Sequence, residues 1–87
     1  MKILIIDDER SIRNSLKEIL VDEGYDVDVA ENGIQGCQMV DKEKYSVIFC
    51  DIKMPEMDGL EVLDRLMGMG IDSAVVMISG HGDINTA

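Results

Sequence analysis

Two short acidic stretches carry the chemistry open to this sequence. Asp7 and Asp8 follow the apolar run KILII (Lys2 to Ile6). Asp51 follows the apolar run SVIFC (Ser46 to Cys50) and enters at once the loop of CDIKMPEMDG, which carries Lys53, Pro55, Asp58 and Gly59. Taken singly, each stretch fits a helix cap: Asp7 or Asp8 for the helix that follows them, Asp58 for the next. Placed together at neighbouring strand ends, three carboxylates converge on one crevice. Left unneutralised they repel and raise one another's pKa. A hard cation relieves that repulsion, and Mg²⁺ suits such a site: it binds oxygen, keeps several waters, and takes one or two carboxylates plus a phosphate group. Ser79 ends the run SAVVMI and can bring a hydroxyl to the same crevice, or cap a helix after it.

The elements that must hold these residues are legible as an alternation of strand and helix. Lys2 to Ile6, Ser46 to Cys50 and Ser73 to Ile78 are continuous apolar, β-rich runs, as interior parallel strands are. Tyr25 to Ala30 alternates, with Tyr25, Val27 and Val29 on one side and Asp26 and Asp28 on the other, which fits a half-exposed edge strand. Between the strands, Ile12, Leu16, Ile19 and Leu20 trace one helical face that Gly24 ends, and Ile34, Cys37 and Val40 trace a second helix, loosened by Gly36. Leu60, Leu63 and Met67 trace a third, closed by Gly68 and Gly70. Single helices between strands mean right-handed βαβ units, an α/β fold and an open parallel sheet. If the alternating strand is the edge, the order is 2-1-3-4, and ligands bind where strand order reverses, between strands one and three. Asp7, Asp8 and Asp51 stand there.

Composition narrows the partners. A net charge of −10 over 87 residues argues against nucleic-acid binding by this segment and favours a cation or a basic partner. No apolar run approaches a membrane span. A strand-like run directly after Met1 leaves no visible signal peptide, so a cytoplasmic location is expected. Cys37 and Cys50 lack metal-ligand spacing and read as reduced, buried thiols. Met54, Met57, Met67 and Met69 read as loop and core filling.

IIDDE, DIKMPEMDG and ISGHG, in this order and on these elements, resemble the receiver domain of bacterial two-component response regulators over the whole chain. The resemblance implies a flavodoxin-like receiver fold and Mg²⁺-dependent phosphoryl transfer from the phosphohistidine of a sensor histidine kinase, a signalling role rather than that of a turnover enzyme. It implies Asp51 as phosphoacceptor and Ser79 as the hydroxyl that senses the phosphoryl group. It also implies Asp8, Asp51 and the Lys53 backbone carbonyl as metal ligands, with Asp7 acting through water. SGHGDINTA is similar to receivers joined to sigma-54-dependent transcription activators, which implies a DNA-binding output domain in the parent protein. Against the family pattern, residues 1–87 read as the N-terminal part of a single receiver, with the fourth helix cut and the fifth strand, its Lys and aromatic switch residue, and the fifth helix absent. A strand four left without a neighbour predicts self-association of the fragment. His81 reads as a loop or helix-entry residue.

Rival readings fit less well. Phosphatases that form an aspartyl phosphate place two acids at D-x-D spacing, whereas Asp7 and Asp8 are adjacent. A dinucleotide site wants glycines after strand one, where this chain is acidic. A calcium loop starting at Asp26 meets Glu31 where glycine is needed.

Overall fold

Strands and helices alternate strictly through residues 1–78, which are those the computed structural model describes. They are β1 (Lys2–Ile6), α1 (Arg10–Asp22), β2 (Asp26–Ala30), α2 (Gly33–Lys42), β3 (Val47–Asp51), α3 (Gly59–Gly68) and β4 (Ala74–Ile78). The strands form one parallel sheet in the order β2-β1-β3-β4, so the alternating strand is the edge and the crossover lies between β1 and β3, as the pattern predicts.

The sheet buries two cores. On one face Leu4, Ile6, Ala30, Ile48 and Cys50 pack under α2 and α3, against Val40, Tyr45, Met54, Met57, Val62 and Leu66. On the other, Ile3, Ile5 and Val27 meet Leu16 and Leu20 of α1, with Val47 and Phe49 alongside. No residue of α1 is fully buried. Its contact stripe runs through Ile12, Leu16 and Leu20, leaving Ile19 outside. Gly24 ends α1 as expected: at φ +94° it lets its own N–H reach the Val21 carbonyl at 2.9 Å and the Tyr25 N–H reach that of Leu20 at 3.1 Å.

Three expectations shift. Gly36 does not loosen α2; α2 buries its glycine side, Gly33, Gly36 and Val40, and leaves Ile34 exposed. A Cβ on Gly36 would stand 2.5 Å from Ile6 Cδ1, and one on Gly33 the same distance from Val62 Cγ2, so the glycines set how closely α2 approaches β1 and α3. In α3 the buried face is Gly59, Val62 and Leu66, one residue round from the expected stripe; Leu60 and Met67 are exposed at 59% and 54%. Met69 is also exposed, whereas Met54 and Met57 fill the core, and Cys37 is half-buried where Cys50 is buried. Strand β4 borders the sheet among the described residues, as the order 2-1-3-4 places it. With only β3 to pair with, its apolar residues are half-buried or, as at Val76, exposed.

Asp28 departs from the solvent-facing reading of β2. Its register partner is Leu4, so it points to the α2–α3 side, where it accepts a 2.7 Å hydrogen bond from the Tyr45 hydroxyl and lies 3.8 Å from Lys2 Nζ. Burial, and then the Asp28 carboxylate, push the Tyr45 phenol well above its usual pKa.

Candidate functional site

The register of β1 and β3 builds the site. Ile6 pairs with Cys50, and the same register carried one residue further sets Asp7 opposite Asp51. Both side chains are 1% exposed. Like charges directly across a sheet are destabilising, so packing alone does not account for the pair. Asp8, next along the chain, is exposed and lies at the mouth. One carboxylate oxygen from each of Asp7, Asp8 and Asp51 lies within 4.8 Å of the others.

Neither Asp7 nor Asp8 is the helix cap. Glu9 holds that position and its side chain makes no capping bond; instead Asp7 Oδ1 accepts the Glu9 N–H at 2.9 Å. The Asp7 backbone is fixed twice more. Its N–H donates to the Ala30 carbonyl at 3.2 Å, and its own carbonyl accepts from Arg13 Nη1 at 2.7 Å. Arg13 and Glu9 are site residues that sequence reasoning missed. The signal available was a helix whose first turn contains no acid, contrary to the usual preference near the positive end of the helix dipole.

Asp51 is the last residue of β3. Its Oδ1 accepts the Lys53 N–H at 3.2 Å, while Oδ2 is buried and no donor among the described residues reaches it. Burial, and next the charge of Asp7, push its carboxyl up to about 6; the Lys53 N–H pulls the other way. The Lys53 side chain is exposed. Ser79 and His81 lie outside the described residues.

The loop after Asp51 is folded back on the strand end. Asp58 caps α3 by accepting the Glu61 N–H at 2.9 Å, the cap foreseen for it. Gly59 donates to the Ile52 carbonyl at 2.7 Å, and a Cβ on Gly59 would collide with the Asp51 carbonyl oxygen and stand 2.6 Å from Ile52 Cα. Within the loop the Met57 N–H reaches the Pro55 carbonyl at 2.7 Å around Glu56, which sits at φ +69°. A cavity of about 720 Å³ lies at the other end of the sheet, under Tyr45, Met69 and Ile71; Lys42 and Lys44 there are mixed with Asp41, Glu43 and Asp72, so it offers no strongly focused charge.

The acidic site suits a small divalent cation. Its donors are hard carboxylate oxygens, two of them on buried like charges, and the buried Asp51 Oδ2 has no donor among the described residues.

Comparison with known proteins agrees with this geometry. Residues 3–87 match the family described as the response regulator receiver domain. The chain is 37% identical over 84 residues to sporulation initiation phosphotransferase F of Bacillus subtilis, covering 97% of this chain and 68% of that protein. It is 32% identical over 85 residues to response regulator MprA of Mycobacterium tuberculosis, covering 98% of this chain but only 37% of that protein's length. Among solved structures, a response regulator receiver domain from Clostridium thermocellum superposes with a TM-score of 0.85 at 32% identity, over 99% of this chain and 70% of that one. NtrX from Brucella abortus superposes with a TM-score of 0.86 at 36% identity, over 99% of this chain and 20% of that one. With the acidic site at the crossover of a 2-1-3-4 sheet, these matches establish that the chain belongs to the response regulator receiver domain family.

Proposed function

We propose that Asp51 is the phosphoacceptor of this receiver. In the reaction, an Asp51 carboxylate oxygen bonds to phosphorus as the P–N bond to the kinase's histidine breaks, and the leaving imidazole takes up a proton. What supports this is the placement of Asp51: a carboxylate held at a rigid strand tip, with one oxygen fixed by the Lys53 N–H and the other buried without a donor among the described residues. In-line transfer needs a nucleophile positioned in that way.

Asp8 and Asp51 would hold Mg²⁺ directly, with the Lys53 backbone carbonyl as a third ligand and Asp7 acting through water. When bound, the cation supplies charge neutralisation around the transferring group. The chain's own residues do the rest. Asp7 and Asp51 make the buried wall, Asp8 stands at the open mouth, and Ser79 bonds the phosphoryl group once it has arrived. Partners in this reading are a sensor histidine kinase and an output domain in the parent protein, DNA-binding and of the sigma-54-dependent activator type. The setting is cytoplasmic, in keeping with the absence, among the described residues, of a helix long and apolar enough to cross a membrane. Self-association through the β4 border is part of the same reading. Light scattering that shows a strict monomer at high micromolar concentration would remove it.

The phosphoacceptor assignment is tested by incubating the receiver with acetyl phosphate or a cognate kinase and locating the product by borohydride trapping and mass spectrometry. One Mg²⁺-dependent phosphoryl group on Asp51 is expected. Label on Ser79 or His81 with Asp51 unmodified would refute it. Mg²⁺ titration followed by amide shifts should respond next to Asp7, Asp8 and Asp51, and the response should vanish in an Asp8→Ala/Asp51→Ala variant.

A further inference from the structure

We propose that Arg13 is a positioning residue that sets the cation affinity of the acidic site through the backbone of Asp7. The inference rests on the reading of Asp7, Asp8 and Asp51 as a divalent-cation site. Its own observation is the 2.7 Å bond from Arg13 Nη1 to the Asp7 carbonyl. That bond spans the turn between β1 and α1, the segment that carries two of the three carboxylates. The turn is held from the sheet side by the Asp7 N–H on the Ala30 carbonyl, and from within by the Glu9 N–H on Asp7 Oδ1. Arg13 supplies the tie from the helix side. Without it the Asp7 peptide can rock about its bond to Ala30, and the Asp7 and Asp8 carboxylates rock with it relative to Asp51.

Pairing with Glu9, four residues before it, would favour an arginine here but does not require its reach to the Asp7 carbonyl. A cation near a helix N-terminus opposes the dipole, and the first turn of α1 has no acid to offset it. Its half-buried side chain reaches back across the turn to Asp7. Partners that orient metal ligands typically change metal affinity about 10–100-fold when removed.

The sign of the effect separates positioning from charge. Arg13 brings a positive charge close to a site for a cation. If it acted through that charge alone, removing it would tighten Mg²⁺ binding. If it acts by holding the turn, removing it weakens binding.

The test measures the Mg²⁺ dissociation constant by calorimetry, in the receiver within its full-length protein, for wild type, Arg13→Ala and Arg13→Lys. The expected result is a weakening of about tenfold in Arg13→Ala, with Arg13→Lys, which keeps a donor of similar reach, within about threefold of wild type. Unchanged or tighter binding in a folded Arg13→Ala variant would overturn the proposal, as would equal loss in both variants. Circular dichroism and thermal unfolding without Mg²⁺ report on folding. If Arg13→Ala does not fold, Arg13→Met, which keeps the apolar stem, takes its place; failure of both to fold would make the bond a purely structural one and also overturn the proposal. If wild type itself does not bind Mg²⁺, the reading of the site fails; if wild type binds and Arg13→Ala binds as well, only the role of Arg13 fails.

Discussion

Asp7 and Asp51 face each other across the β1–β3 pair, two like charges set side by side and both buried. The juxtaposition has a thermodynamic signature. The Asp51 carboxyl is pushed up to about 6, first by burial and then by Asp7, from an ordinary value of 3.8. The folded state therefore binds the proton more tightly than the unfolded state. Without divalent cation, this group's contribution to stability should be fully present below its unfolded pKa of about 3.8 and be lost as pH rises through the folded pKa of about 6. With allowance for solvent at the mouth of the site, the loss is of the order of 1–2 kcal/mol. Asp51→Asn should recover about that amount at pH 7 in EDTA and flatten the slope between pH 4 and 7, as read by urea unfolding. An equally steep slope in the variant would assign the effect to other groups.

Gly59→Ala tests the loop closure. The new methyl would collide with the Asp51 carbonyl, which is backbone and cannot rotate away as a flexible side chain can. Destabilisation of about 2–4 kcal/mol is expected, in the range of overpacking with backbone displacement. Mg²⁺ affinity and phosphoryl acceptance should fall with it, because the displaced atoms belong to Asp51. Full stability with full acceptance would mean that the loop has room to give.

Glu56 sits at φ +69°, where a residue with a Cβ is strained. Glu56→Gly removes about 1 kcal/mol of strain but returns part of it through the greater freedom of glycine in the unfolded chain. The expected net effect is a gain of a few tenths of a kcal/mol up to about 1 kcal/mol in chemical denaturation. A loss of stability would show that the Glu56 side chain makes a contribution larger than the strain.

Tyr45→Phe removes the hydroxyl that donates to Asp28. A carboxylate that keeps solvent and Lys2, 3.8 Å away, then loses one donor, at a cost of about 0.5–1.5 kcal/mol. The pair lies away from the acidic cluster, so Mg²⁺ affinity should not change while the unfolding midpoint falls. A shift in both would link the two ends of the sheet.

How much of this was legible in the sequence differs from element to element. Sheet order was, because YDVDVA alternates while the other strands are continuous, and parallel strands covered on both sides have no reason to alternate. The site was, because Asp7, Asp8 and Asp51 sit at the ends of apolar runs. Helix faces were not. In α3 the residues at 59, 62 and 66 and those at 60, 63 and 67 have the same spacing, and the second set is the more apolar. What selects the first is the contact of Gly59 with the strand end, a tertiary fact invisible to periodicity. In α2 the glycines look like defects until Ile6 and Val62 are seen to need their space. The different fates of Asp7 and Asp8 were hidden as well: adjacent residues at a strand end diverge, and only the register shows which is the buried one.

That divergence has a kinetic consequence. Asp7 and Asp51 form a closed back wall, while Asp8 stands in solvent. An ion held among them, on the proposed chemistry, enters and leaves on the Asp8 side without any strand separating. Its rate of entry is then governed by the shedding of its own hydration shell, which Mg²⁺ gives up reluctantly. Occupancy follows the free cation concentration of the moment and stores no history. If Asp51 is the phosphoacceptor we propose, whatever persistence the signal has resides in the hydrolytic lifetime of its acyl phosphate.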